Sequence, residues 1–360
     1  MAQRTYGSAD PWAAAITIPA RNEADRVSAC LDAAAIALAG RGGIVVTVNG
    51  STDATLDLVR AWFVTTGTSG VVIDDPAPPV GSGVGRARRL AIAAACVRLR
   101  QDGTILTTDA DSRVAPDWLD ANLAELTRAD LVCGTVLPEP AEISALPAII
   151  SEKGAPEGEY FALTLAVRAL LDPVPHDLEP THINPAGASL AFRMPLYTDV
   201  GGIPDIAVRE DRVFVEHAES RDWRVRHSSI AQVWTSCRLD GRTGDGMSRA
   251  LRERIDNKDP VVDEALNPAD LTILQARVKG QLRREFAGKP GFGAAWAQAL
   301  ETRPELRSHR MFLSELQTNL PQLRSKLAEL QIVPTDGSPT LGGRVLRHFK
   351  GIAHETGCSL

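Results

Sequence analysis

Residues 105–111 read Ile105-Leu106-Thr107-Thr108-Asp109-Ala110-Asp111. An apolar run ends in two aspartates one residue apart. Alternate residues of a strand share a face, so Asp109 and Asp111 can point to the same side where a strand ends. Two carboxylates there form a hard-oxygen site suited to Mg2+ or Mn2+ carrying a diphosphate, since these cations favour a few carboxylates plus phosphate oxygens. Acidic pairs also cap helices and decorate turns, so the flanking sequence has to decide.

Working outward, short apolar runs alternate with helix-like stretches. Strands are expected at 13–18, 44–48, 70–73, 104–108 and 131–137, the second being β-branched and apolar as in a buried strand. Between them, 24–39 has helical periodicity with Val27, Cys30, Leu31 and Ala34 on one face. Asn49-Gly50-Ser51-Thr52-Asp53 supplies a turn and capping groups for a helix through about Phe63. Gly81 to Gly85 opens a helix to about Arg100, and Pro116 fits the first turn of another, to about Leu126. This order predicts an α/β fold with a mostly parallel central sheet flanked by helices on both faces. In such sheets ligands sit outside the carboxyl ends of the strands. The polar turns 19–23, 49–53 and 109–111 all fall at that edge and are expected to share one crevice.

From 140 to 186 the pattern weakens and one helix, 159–171, stands out. A strand at 187–192, a helix at 209–219 and short strands at 224–227 and 230–234 follow. Beyond about residue 240 the chain is rich in Arg, Leu and Ala at helical spacing, with helices expected at 247–255, 271–286, 294–300, 311–319 and 321–329. The expected organisation is a catalytic α/β domain over 1–240 and a helical extension over 241–360, its last stretch a loose tail.

The 360 residues are 44% hydrophobic and 23% charged, ordinary values for a globular protein with a sizeable core. The net charge of −6 argues against general nucleic-acid binding. Five cysteines occur without Cys-x-x-Cys spacing, which suggests neither zinc site nor disulfide framework and favours reduced cytoplasmic thiols. No signal peptide and no transmembrane segment are expected.

Several motifs have two readings. Gly81-Ser82-Gly83-Val84-Gly85-Arg86 is either a phosphate cradle at a helix start or a flexible loop; it lacks the Lys-Ser/Thr of a P-loop, which disfavours ATP hydrolysis. Arg86, Arg88 and Arg89 offer cations nearby. Asn49 to Asp53 is a tight turn or a base and ribose reader, and Glu23 is a first-turn acid or a ligand contact. Glu210 and Asp211 are either solvated first-turn acids or a general base for an attacking hydroxyl. His176, His182, His217 and His227 have no ligand spacing. Gly-x-Ser-x-Gly and His-Glu-x-x-His are absent, so serine-hydrolase and zinc-protease readings have no support.

Taken in order, six segments resemble a family 2 glycosyltransferase with the GT-A fold, a soluble bacterial-type member. They are Ile18-Pro19-Ala20-Arg21-Asn22-Glu23, Val48-Asn49-Gly50-Ser51-Thr52-Asp53-Ala54-Thr55, Gly83-Val84-Gly85-Arg86-Ala87-Arg88, Thr108-Asp109-Ala110-Asp111, Gly187-Ala188-Ser189-Leu190-Ala191-Phe192-Arg193, and Val200-Gly201-Gly202-Ile203-Pro204 leading to Glu210-Asp211. The resemblance spans roughly residues 12–240 and implies a Rossmann-like domain that binds a nucleotide-diphosphate sugar. By that resemblance Pro19, Arg21, Asn22, Glu23, Asn49, Ser51, Asp53 and Arg86 line the nucleotide pocket. Asp109 approaches the ribose, and Asp111 holds the Mg2+ or Mn2+. Gly187, Ala188 and Ser189 border the sugar and acceptor. Asp211 is the catalytic base, with Glu210 beside it. Asn49 departs from the aspartate usual in the family, which leaves the base identity open, because an amide both donates and accepts. A third metal ligand is not evident.

The implied reaction is metal-dependent, inverting transfer of a sugar to a hydroxyl acceptor. Val233 to Arg238, then Gly241, Arg242 and Gly244, resemble a segment whose Arg238 and Arg242 close over the diphosphate. A homodimer through the C-terminal helices is a further expectation. The rivals are a retaining GT-A transferase making a sugar glycerate or phosphoglycerate, a nucleotidyltransferase, and a degenerate GT-A domain serving as an interaction module.

Overall fold

The computed structural model describes residues 1–79, 83–241 and 246–332. Gly81, Ser82, Arg242, Gly244 and the expected C-terminal tail lie outside them. The chain divides into two compact units, Met1–Glu139 with Asn184–Gly246, and Pro140–Ile183 with the C-terminal residues from Met247. The stretch 140–183 falls in the second unit with the residues from Met247 on.

The first unit contains β1 (Ala2–Tyr6), β2 (Trp12–Ala20), α1 (Val27–Leu38), β3 (Gly42–Asn49), α2 (Thr55–Thr66), β4 (Gly70–Asp75), α3 (Val84–Cys96), β5 (Leu99–Thr107), β6 (Ser112–Val114), α4 (Trp118–Glu125) and β7 (Leu131–Pro138). After α5 (Pro140–Ala145) and α6 (Ile149–Leu171), which belong to the second unit, it resumes with β8 (Leu190–Arg193), α7 (Met194–Asp199), α8 (Glu210–Ser220) and β9 (Val225–Thr235). Among the described residues the strands form one nine-stranded sheet in the order β1-β4-β3-β2-β5-β8-β7-β9-β6. The run β4-β3-β2-β5 is parallel, as the sequence predicts. Beyond β5 the sheet is mixed, because β8 pairs antiparallel with both β5 and β7.

Strand β3 shows why the sequence adopts this arrangement. Ile44, Val46 and Val48 belong to a core with Val27 and Leu31 of α1 and Phe63 of α2. Val45, between them, points to the other face, with Trp12, Ala91 and Ala95. Both faces are apolar because both are covered, and each such side chain contributes about 1.5–3 kcal/mol by burial. Since β3, β2 and β5 are parallel neighbours, their carboxyl ends lie on one edge of the sheet. The turns after Ala20, Asn49 and Thr107 are thereby brought side by side.

Strand assignments differ from expectation where the cue was weak. The edge strand β1 is polar and mostly exposed, so it carries no buried stripe. The two short strands expected at 224–227 and 230–234 are one strand, β9, interrupted by a register shift against β7 between Gly134 and Thr135.

The second unit packs α6 against α10 (Ala269–Glu285) and α12 (Leu313–Ile332), with α9 (Met247–Asp256) and α11 (Phe292–Thr302) alongside in sequence. Tyr160, Phe161 and Val167 meet Ile273, Leu316, Leu323 and Leu327 in its core. That apolar face is the reason 140–183 departs from the first unit. The Tyr160 hydroxyl donates to the Asn267 carbonyl at 2.8 Å. Helix α12 runs through Pro321, where the sequence predicts a break. No described helix is long and apolar enough to cross a membrane.

Candidate active site

The carboxyl edge of the sheet is assembled from turns that hydrogen-bond to one another. Asn22 sits in left-handed backbone at φ 54°, and its Oδ1 accepts the Thr52 N–H at 2.8 Å. In return Ser51 Oγ accepts the Asn22 N–H at 3.0 Å, and Thr55 Oγ1 accepts that of Glu23 at 2.8 Å. Asp53 accepts from Ala24 N at 3.1 Å and from Thr55 N at 3.0 Å. Burial pushes the Asp53 carboxyl up, but the hydrogen bonds from Thr55 and Ala24 outweigh it and hold it below its ordinary value. Asn22, Ser51 and Asp53 thus staple the first two turns together. Pro19 is buried within β2, and Arg21 is exposed at its end.

Asn49, at the carboxyl end of β3, is 5% exposed. Its Nδ2 donates to the Gly83 carbonyl at 3.4 Å, while its buried Oδ1 has no hydrogen-bond partner among the described residues. Arg86, in the first turn of α3, donates Nε to Asp75 Oδ2 at 3.0 Å.

The centre of the site is Arg88, which is 2% exposed. Its Nε donates to Glu210 Oε1 at 2.9 Å, and its Nη1 donates to the Gly187 carbonyl at 2.8 Å and to Thr107 Oγ1. Its Nη2 donates to Asp109 Oδ1. One guanidinium therefore joins the end of β5, the loop before β8 and the start of α8. Burial works against its charge, yet Asp109, Glu210 and Asp211 together outweigh burial and hold its proton more tightly than water does. At Glu210 the balance is reversed: burial exceeds the attraction of Arg88, Asp211 adds repulsion, and the carboxyl is raised. A Cβ at Gly187 would lie 2.4 Å from Arg88 Nη2, so only glycine allows this approach.

Asp211 is one residue further into α8. Its Oδ2 accepts the Gly187 N–H at 2.7 Å and its Oδ1 the Arg212 N–H at 2.7 Å. Each carboxylate oxygen has a second lone pair for another donor. The chain enters α8 through Arg209 in left-handed backbone at φ 66°, a conformation that costs a non-glycine residue about 1–3 kcal/mol and recurs at functional sites.

Asp111 lies beside Asp109. Burial first, and the charge of Asp109 next, push its carboxyl up to about 7 against the opposing pull of Arg238. Arg238 contacts Asp111 Oδ2 at 3.2 Å and grips Glu23 with both terminal nitrogens, Nη1 to Oε2 at 2.6 Å. A half-buried carboxylate raised by desolvation and then by a like charge is the kind of hard-oxygen donor that a divalent cation stabilises, so the residues present fit Mg2+ or Mn2+. Among the described residues no three of His, Cys, Asp and Glu cluster as a closed metal site. His217 is exposed in the last turn of α8, and His227 is paired opposite Cys133 on β9.

Residues 187–189, expected to border the sugar and acceptor, lie in the loop leading into β8. Ala188 and Ser189 are buried, and Ser189 Oγ accepts the Trp118 indole N–H at 3.0 Å and donates to the Ala231 carbonyl at 3.4 Å. Gly187 is buried as well, and its backbone is held by Arg88 on the carbonyl and Asp211 on the N–H. Arg88 and Arg238 carry more of the site than sequence reasoning assigned them. A separate cavity of about 470 Å3, lined by Arg249, Arg252 and Lys258 together with Glu253, Asp256 and Asn257, contains none of these groups.

Comparison with solved structures finds similar architectures at low identity. A mannosyltransferase, PcManGT from Pyrobaculum calidifontis in complex with GDP-Man and Mn2+, is 16% identical, with 98% of this chain and 84% of that one covered and a TM-score of 0.47. TarS 1-349 of S. aureus in complex with UDP-GlcNAc is 16% identical, with 88% and 83% covered and a TM-score of 0.45. Glucosyl-3-phosphoglycerate synthase from Mycobacterium tuberculosis, in complex with Mn2+, UDP and glucosyl-3-phosphoglycerate, is 19% identical, with 68% and 78% covered and a TM-score of 0.39. No curated protein matches the sequence. The family model Glycosyl transferase family 2 matches residues 15–157. The segment that carries the stapled turns, Arg88 and the Asp109–Asp111 strand end is thus the part of the chain that matches the glycosyl transferase family 2 model.

Proposed function

We propose that this glycosyltransferase moves a sugar from a nucleotide-diphosphate donor to a hydroxyl acceptor, with metal dependence and inversion at the anomeric carbon. The observation that carries this reading is the Asp109–Arg88–Glu210 bridge, with Gly187 held by Arg88 on its carbonyl and by Asp211 on its N–H. It draws the acidic strand end and the acidic helix start, distant in sequence, around one group.

In this reading the base sits near Asn49, whose Oδ1 accepts an N–H. Glu23 and Arg238 border the nucleotide. Asp111, with Asp109 behind it, holds a divalent cation, which when bound neutralises charge on the departing diphosphate. The acceptor oxygen attacks the anomeric carbon while the bond from that carbon to the diphosphate oxygen breaks, and Asp211 takes the acceptor's proton. Hydrogen bonds from Gly187 and Arg212 fix the Asp211 carboxylate before the acceptor arrives.

Nucleotide sugars screened with Mn2+ for a rise in melting temperature identify the donor, because a ligand that binds only the folded state stabilises it. The product's anomeric configuration by NMR then tests inversion. A product of retained configuration overturns the assignment of Asp211 as base in a single displacement.

A further inference from the structure

The carboxylates of Glu23 and Asp111 leave different strand ends and meet on one guanidinium. Arg238 holds Glu23 with both terminal nitrogens, and its Nη2 also lies 3.2 Å from Asp111 Oδ2. The side chains are shielded, at 7% exposure for Glu23, 14% for Arg238 and 21% for Asp111. Their mutual attraction is therefore screened less than on an open surface. A dication and a guanidinium repel each other, and both here draw on the same carboxylate. Glu23 is fixed independently, through its backbone N–H to Thr55 Oγ1 at 2.8 Å, and offers Arg238 a two-pronged pairing that does not depend on Asp111.

We propose that Arg238 is the resident counter-cation of Asp111, that a divalent metal displaces it from that carboxylate, and that Glu23 retains it when this happens. The proposal rests on reading Asp111 as the metal ligand. It makes metal and donor binding cooperative. Metal alone must overcome the charge of Arg238, whereas an entering diphosphate supplies a new anionic partner for the displaced N–H groups and so favours the metal-bound arrangement. By linkage the metal raises donor affinity by the same factor.

The test uses the full chain and Mn2+ alone as probe, at pH 8, with free Mn2+ followed by electron paramagnetic resonance. Loss of binding in Asp111→Asn first checks the underlying assignment. Against that baseline, Arg238→Gln is expected to bind Mn2+ about tenfold more tightly, since a nearby positive charge has gone. Arg238→Lys, which keeps the charge, should stay close to the unsubstituted protein. Equal or weaker Mn2+ binding by folded Arg238→Gln overturns the proposal while leaving Asp111 as ligand. If the unsubstituted protein and Asp111→Asn bind Mn2+ alike, the metal assignment and the proposal fall together. Should Arg238→Gln not fold, arginine Nε–H spectra of the unsubstituted protein decide instead. The resonance missing from Arg238→Lys is expected to shift on saturation with Mg2+, and an unmoved resonance refutes displacement.

Discussion

Replacing Arg88 by methionine tests the centre of the site. The substitution keeps a long, unbranched apolar side chain but removes a guanidinium that is 2% exposed and serves Glu210, Thr107, the Gly187 carbonyl and Asp109. Asp109 is about a third exposed and can turn to water, whereas Glu210, at 3%, cannot. The cost is therefore set by an uncompensated buried carboxylate, about 3–5 kcal/mol. For a unit of this size that lowers Tm by roughly 6–20 °C. The cost also depends on pH. Burial already raises the Glu210 carboxyl, and losing Arg88 raises it further. A carboxyl raised in the folded state folds most favourably when protonated, so the destabilisation is full above its folded pKa and shrinks as pH falls toward its unfolded value. Thermal melts of Arg88→Met at pH 8 and pH 5, beside those of the Arg88→Met/Glu210→Gln double variant, provide the assay. The expected pattern is a large loss at pH 8, a smaller one at pH 5, and recovery of most of the loss in the double variant. Equal losses at both pH values, or no recovery, would refute the argument that the buried Glu210 charge sets the cost.

Four further outcomes are expected. Asp211→Asn should lower transfer by about 10²–10⁴-fold, measured as kcat/KM, while a donor still raises Tm as in the unsubstituted protein. Gly187→Ala brings a methyl within 2.4 Å of Arg88 Nη2 and should destabilise by about 1–3 kcal/mol in denaturant melts, with a fall in kcat. Ser189→Ala leaves the buried Trp118 N–H unpaired and should cost about 1–3 kcal/mol with transfer by the folded fraction unchanged; a selective loss of acceptor affinity would restore Ser189 to the acceptor site. Asp111, raised to about 7 by burial and Asp109, favours its neutral form in the folded protein, so its contribution is full below its unfolded value near 3.8 and is lost as pH rises through 7. Asp111→Asn should accordingly raise Tm at pH 8 without added metal and leave it unchanged at pH 3.5.

Much of the parallel half of the sheet was legible because burial on both faces leaves a continuous apolar run, as in Ile44-Val45-Val46. Strand β1 was not, since Ala2-Gln3-Arg4-Thr5-Tyr6 pairs through its backbone at the sheet edge and needs no apolar stripe. Strand β9 reads as two because its register shift breaks the alternation. Helix α6 begins ahead of its expected start because Gly154 and Pro156 hide its first turns, which tertiary packing of Ile150 and Tyr160 offsets.

The site was legible as a set of turns but not as a network, and the missing part has a signal. On α3 the buried positions include Gly85, Arg88, Ala91, Ile92 and Ala95, the spacing of a core-facing stripe. On α8 Glu210 shares its buried face with Phe214 and Ala218. An arginine on one apolar stripe and a glutamate on another carry opposite charges in positions that exclude water. Neither charge is tolerable alone, so each implies a partner of the other sign. Arg86 attracts attention because it follows the glycines, yet it leaves the buried stripe and meets Asp75 instead. Charged residues on the apolar stripe, more than those in the motif, identify which cation ties the two acidic segments together.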